Sequence, residues 1–142
     1  MRERQLLQSV WDSNLFQEMF RFEEVRVGEW SRSTKRIDMV ALERLDGGGR
    51  VIAVEAKISD WKTAVRQAFR NLFAVDLSYV ALPDRAAARV DIQVFRDTGI
   101  GLLAVDGNVK CLLDPIQSTL IVPEKKRFVT ETCRKRVGGT LA

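Results

Sequence analysis

A chain of 142 residues fits the roughly 100–200 residues of one domain and is long enough to bury a core without staples. No apolar run approaches the ~20 residues of a membrane-spanning helix. Two cysteines, Cys111 and Cys133, and no histidine make neither a disulfide framework nor a zinc site. The net charge of +4 is uneven: residues 124–136 carry Lys125, Lys126, Arg127, Arg134, Lys135 and Arg136 against Glu124 and Glu131, so the whole surplus lies near the C-terminus. Without histidine the commonest general base is absent, and any catalysis must run on carboxylates, lysine or a metal. Met1-Arg2-Glu3-Arg4-Gln5 leads into no signal-peptide core, and a cytoplasmic protein is expected.

From Glu3 to Phe20 the spacing of Leu6, Leu7, Val10, Trp11, Leu15, Phe16, Met19 and Phe20 predicts an amphipathic helix covering one face of a sheet, with a break at Asp12-Ser13-Asn14. Phe22 to Val27 alternates and reads as a strand. Glu24 within it is open to two readings, an exposed strand residue or a further site acid. Gly28 to Lys35 is a loop whose Arg32 and Lys35, with Arg36 after them, suit either contact with a phosphate or plain solvation.

Arg36 to Lys57 reads as one hairpin. Arg36–Leu42 and Val51–Lys57 are apolar enough for buried strands, and Asp46-Gly47-Gly48-Gly49 between them is a turn signal. Two charges stand out inside these runs. Asp38 lies among Ile37, Met39 and Val40, and Glu55 among Val54 and Ala56. An ionised group there is expensive unless it is paired, hydrogen-bonded or on a metal. Glu55 and Lys57 share one face of the strand, roughly 6.6 Å apart along it. Antiparallel pairing brings Asp38 beside Glu55, so two carboxylates and an ammonium converge.

Ser59 or Asp60 is set to cap a helix running to about Val75, with an apolar stripe of Trp61, Ala64, Val65, Ala68, Phe69, Leu72 and Phe73. Its other side carries Lys62, Arg66 and Arg70 at successive turns with Gln67 beside them, a spacing that can follow a phosphate backbone or simply solvate the helix. Leu77–Leu82 is a buried strand ended by Pro83. Asp84 should cap a short helix through about Arg96 that closes at Gly99. Gly101–Val105, the turn Asp106-Gly107-Asn108 and Val109–Leu113 form a second hairpin, with Cys111 as a small core residue. A last helix is expected over about Glu124–Arg136, ended by Gly138-Gly139.

Asp38, an intervening turn, Glu55-Ala56-Lys57, then Gln67 on the next helix and Ser78–Leu82 as the following strand together resemble the PD-(D/E)XK, or restriction-endonuclease-like, nuclease superfamily. The resemblance covers roughly Phe22 to Leu82; Ile37 stands where some members have proline. It implies an α/β fold: a single-domain three-layer sandwich, a mixed central β-sheet with an αβββαβ core over about residues 3–83, flanking helices, and a C-terminal extension from about 84 holding the hairpin and helix. It also implies a nuclease of restriction, repair or recombination type hydrolysing DNA phosphodiester bonds to 5′-phosphate ends. Mg²⁺ or Mn²⁺ would be held by Asp38, Glu55 and the Ala56 backbone carbonyl, with Glu24 as a further candidate ligand. Lys57 and Gln67 complete the implied catalytic set, and Arg36, Lys62, Arg66 and Arg70 the DNA contacts. In so short a chain, specificity would come from a homodimer, a partner subunit or the shape of the DNA. A non-catalytic nucleic-acid-binding or protein-interaction module on the same fold is the alternative.

Overall fold

A computed structural model describes residues 1–28 and 35–141, with side chains to Val137; Arg32 lies outside the described residues. Twelve elements follow one another among the described residues: α1 (Glu3–Asp12), a single 3₁₀ turn (Asn14–Phe16), β1 (Phe20–Arg26), β2 (Arg36–Leu42), β3 (Val51–Ala56), α2 (Trp61–Asn71), β4 (Leu77–Pro83), α3 (Asp84–Ala87), α4 (Ile92–Thr98), β5 (Gly101–Val105), β6 (Val109–Leu113) and α5 (Pro123–Leu141). The strands form one mixed sheet in sequence order, β1 to β6. β1, β2 and β3 are an antiparallel meander, β3, β4 and β5 run parallel through helical crossovers, and β6 turns back on β5.

Alternation along the strands divides the apolar side chains between two faces. Met39, Ala41, Ile52, Val54, Ala56, Tyr79 and Leu103 pack against Leu6 and Val10 of α1 and against Phe16. On the other face, Val40, Leu42, Val51 and Ala53 meet Val129 and Cys133 of α5. Beside them, Val80, Leu82, Leu102 and Ala104 meet Ala64, Val65 and Ala68 of α2 and Phe95 of α4. Helix, sheet, helix: the α/β three-layer sandwich is the fold. The residues from 84 onward are no appendage, because β5 extends the sheet directly from β4 and α5 packs on β1 and β2.

Several local expectations need correction. The first helix breaks at Ser13, as its sequence foretold, but the chain is already in β1 by Phe20. Asp60 is the cap of α2, its carboxylate accepting from the Thr63 N–H at 3.2 Å. The helix ends at Asn71 rather than near Val75, since the next turn tightens to i−3 bonds from Leu72 to Phe69 and Ala74 to Asn71. Asp84 caps nothing, and the segment to Arg96 is two helices: Asp91 accepts from the Gln93 N–H at 3.1 Å and starts α4 anew. Gly99, at φ +75°, ends that helix in the left-handed form that glycine adopts freely. Cys111 is exposed on β6, the last strand of the sheet, and Cys133 is the buried cysteine. Finally, α5 continues through Gly138 and Gly139 to Leu141, with Val137 still packed on the sheet.

Candidate active site

β3 is buried at all six positions, as the central strand between β2 and β4 must be. Apolar side chains satisfy five of them; the remaining one is Glu55, only 1% exposed. It shares the face of Val51 and Ala53, under α2. The ladder between β2 and β3 runs from Leu42↔Val51 to Met39↔Val54. At the next position carboxylates replace carbonyls as bridges. The Asp38 N–H donates to Glu55 Oε2 at 3.3 Å, and the Ala56 N–H donates to Asp38 Oδ2 at 2.9 Å. Asp38 and Glu55 are therefore brought together as the hairpin register foretold. Because N–H and C=O of one strand residue point to the same edge, the Ala56 carbonyl lies on the β2 side with them.

The electrostatics follow from burial. Desolvation, then the Asp38 charge, push the Glu55 carboxyl up to about 8, against weaker relief from the Asp38 N–H, the Arg70 guanidinium and the Asn71 amide. Asp38 is raised as well: burial and the charge of Glu24 outweigh the Ala56 N–H and the Lys57 ammonium. Both acids are thus biased toward the protonated form. Lys57 is half-buried just beyond β3, its N–H bonded to the Ala81 carbonyl at 3.1 Å, and its charge acts on Asp38.

The helix wall differs from the expected basic stripe. Lys62 and Arg66 stay exposed, the first over the Trp61 ring and the second bonded to the Thr63 hydroxyl at 2.9 Å. Arg70 leaves that line. Eight residues along a helix of 3.6 per turn bring it about 80° round from Lys62, and its Nε is buried without a hydrogen-bond partner. Its charge acts on Glu55, so Arg70 stands on the wall of the helix nearest that carboxyl. Gln67 is half-buried on the same helix, one turn before Asn71. Asn71 escaped the sequence reading altogether. It is fully buried beside Glu55, yet neither amide atom has a partner at good hydrogen-bond geometry. Its position on the stripe, three and seven residues after Ala68 and Ala64, was the available signal.

Glu24 is exposed on β1, opposite the Asp38 level of β2. It influences Asp38 through its charge, but no three acids, cysteines or histidines among the described residues are gathered closely enough to hold a metal ion. Arg36 is exposed at the start of β2, two residues from Asp38.

A divalent cation fits this donor set in kind. Two carboxyls and a backbone carbonyl are hard oxygen donors, which suit Mg²⁺ or Mn²⁺, and Mg²⁺ commonly takes one or two carboxylates and keeps its remaining waters. The raised Glu55 pKa marks a buried carboxylate that is short of positive charge.

No family model matches the chain, and no curated protein matches it. Among solved structures, a protein of unknown function from Silicibacter pomeroyi is similar over 99% of this chain and 90% of its own, with a TM-score of 0.70 at 15% identity. At that identity the likeness shows the fold alone.

Proposed function

We propose that this protein is a metal-dependent nuclease of the PD-(D/E)XK type, hydrolysing DNA phosphodiester bonds. The observation that carries the reading is the meeting of Asp38 and Glu55 where β2 and β3 part, with Lys57 acting on the same spot. Asp38, Glu55 and the Ala56 carbonyl would hold Mg²⁺ or Mn²⁺, which when bound supplies Lewis acidity toward a phosphate oxygen and a more acidic water. Lys57 orients the attacking water or takes its proton, or holds an oxygen of the scissile phosphate. Gln67 hydrogen-bonds the water or the substrate backbone. Arg70 and Asn71 steady Glu55 from the helix side. Lys62 and Arg66, exposed one turn apart, lead the phosphate backbone toward Asp38 and Glu55.

One observation favours a second reading. Glu55 is almost wholly buried and neutral at pH 7 on its raised pKa, which is also how a core acid behaves in a module that binds without turnover. Cleavage separates the two. The wild type, with Mg²⁺ or Mn²⁺ against an EDTA control, should cut at least one of plasmid, linear, single-stranded or branched DNA, and Glu55→Gln should cut none. A wild type that cuts none of them with either ion leaves the module reading.

A further inference from the structure

Alternation fails at one level of the sheet, in two neighbouring strands. In β1, Phe22 and Val25 both pack on the α5 face, although three residues apart in a strand should place them on opposite faces. In β2, Ile37 and Val40 do the same. Glu23 and Glu24 lie between the first pair, and Asp38 lies between the second. Glu24 sits at φ +52°, the one described non-glycine residue in the left-handed region. A left-handed glutamate is disfavoured unless its surroundings hold it there.

Those surroundings are supplied by α5. Val129 and Cys133 press on Val25 and Ile37 in the same apolar cluster. One turn further, the Arg136 guanidinium donates one N–H to the Glu23 carbonyl and another to the Glu24 carbonyl, the latter at 2.7 Å. The planar fork of arginine can serve two successive carbonyls at once, a geometry that a lysine ammonium does not match.

We propose that Arg136 is a positioning residue: by clamping the two carbonyls it fixes the kink in β1, and through the paired β2 strand it sets Asp38 against Ala56 and Glu55. The C-terminal helix is thereby part of the site, although Arg136 lies 81 residues along the chain from Glu55 (136 − 55). The functional meaning of this clamp rests on the reading of Asp38 and Glu55 as a cation site. The clamp itself does not.

Amide hydrogen exchange on the full chain tests the clamp without metal. In Arg136→Ala, the Ala56 and Asp38 N–H groups, which bond to the two carboxyls, should exchange about tenfold faster, the loss of one hydrogen bond's worth of protection. The Lys57 N–H, bonded to Ala81 on the far edge of β3, should keep its rate. Arg136→Lys should resemble the alanine variant, and Lys135→Ala, the same charge change next door, should resemble wild type. Unchanged exchange at Ala56 and Asp38 in Arg136→Ala overturns the proposal, as does equal acceleration at Lys57, which would mean general loosening. Mn²⁺ titration by calorimetry reads the site separately. Where wild type binds the ion, Arg136→Ala should bind it about 10–100-fold more weakly, and equal affinity overturns the proposal. A wild type that binds no Mn²⁺ while the exchange pattern holds sinks the cation reading and leaves the clamp standing.

Discussion

Glu55→Gln should make the protein more stable in alkaline solution. The unfolded chain titrates this carboxyl near 4.5 and the folded chain near 8. The folded state therefore holds the proton more tightly, so the stabilisation is complete below about pH 4.5 and is lost as pH rises toward 8. The upper limit on that loss, at about 1.4 kcal/mol per pKa unit, is of the order of 4–5 kcal/mol. Glutamine keeps the shape and the bond from the Asp38 N–H but has no charge to desolvate or to set against Asp38. Thermal unfolding of both proteins from about pH 5 to 9 should show a wild-type melting temperature that falls while that of the variant stays nearly level. At 2–4 °C per kcal/mol the gap should reach roughly 10 °C at the alkaline end. Excess Mg²⁺ should restore much of the wild-type loss, about 2.7 kcal/mol at a hundredfold excess over Kd, and do nothing for the variant. Two parallel curves without metal would refute the electrostatic account of Glu55.

Three further outcomes are expected. Lys57→Ala should lose cleavage yet keep Mn²⁺ affinity in calorimetry, since the lysine is not among the ligands; a parallel loss of both would make it a structural residue. Asp76 ties three parts together, accepting from the Val51 N–H at 2.8 Å, Gln117 Nε2 at 2.9 Å and Lys126 Nζ at 3.0 Å. Burial works to raise its pKa, but these donors outweigh burial and hold it below the ordinary carboxylate value, so its stabilisation fades as pH falls through the acid range. Asp76→Ala should cost about 2–4 kcal/mol in denaturant unfolding and flatten the acid limb. Lys62→Ala and Arg66→Ala should each reduce the slope of log K against log salt for duplex DNA by about 1, whereas a slope that ignores both removes α2 from the DNA contacts.

Much of the frame was legible because it depends on short-range pattern. The apolar runs on either side of Asp46-Gly47-Gly48-Gly49, with Gly47 taking φ +81° in the turn, fixed the hairpin that brings Asp38 to Glu55. The rest depended on tertiary detail that pattern does not carry. Nothing in Phe22-Glu23-Glu24-Val25 signals a left-handed glutamate, because the kink is held by Arg136 from the far end of the chain. Arg70 looked like the third tooth of a basic stripe until helical drift turned its Nε inward. Asn71 was passed over because the buried stripe was read from its apolar members alone, whereas this polar residue stands on the same stripe and is fully buried. The extra helix start at Asp91 was readable as a cap signal within residues 84–96 and was missed.

Cation binding between Asp38 and Glu55 is the central claim, and a crystal soaked in Mn²⁺ at alkaline pH, where both acids are ionised, tests it most directly. The account predicts an anomalous peak at bonding distance from a carboxylate oxygen of each residue and from the Ala56 carbonyl, absent in Glu55→Gln. A wild-type map with no peak there, or with the ion bound only at surface acids elsewhere, would contradict it.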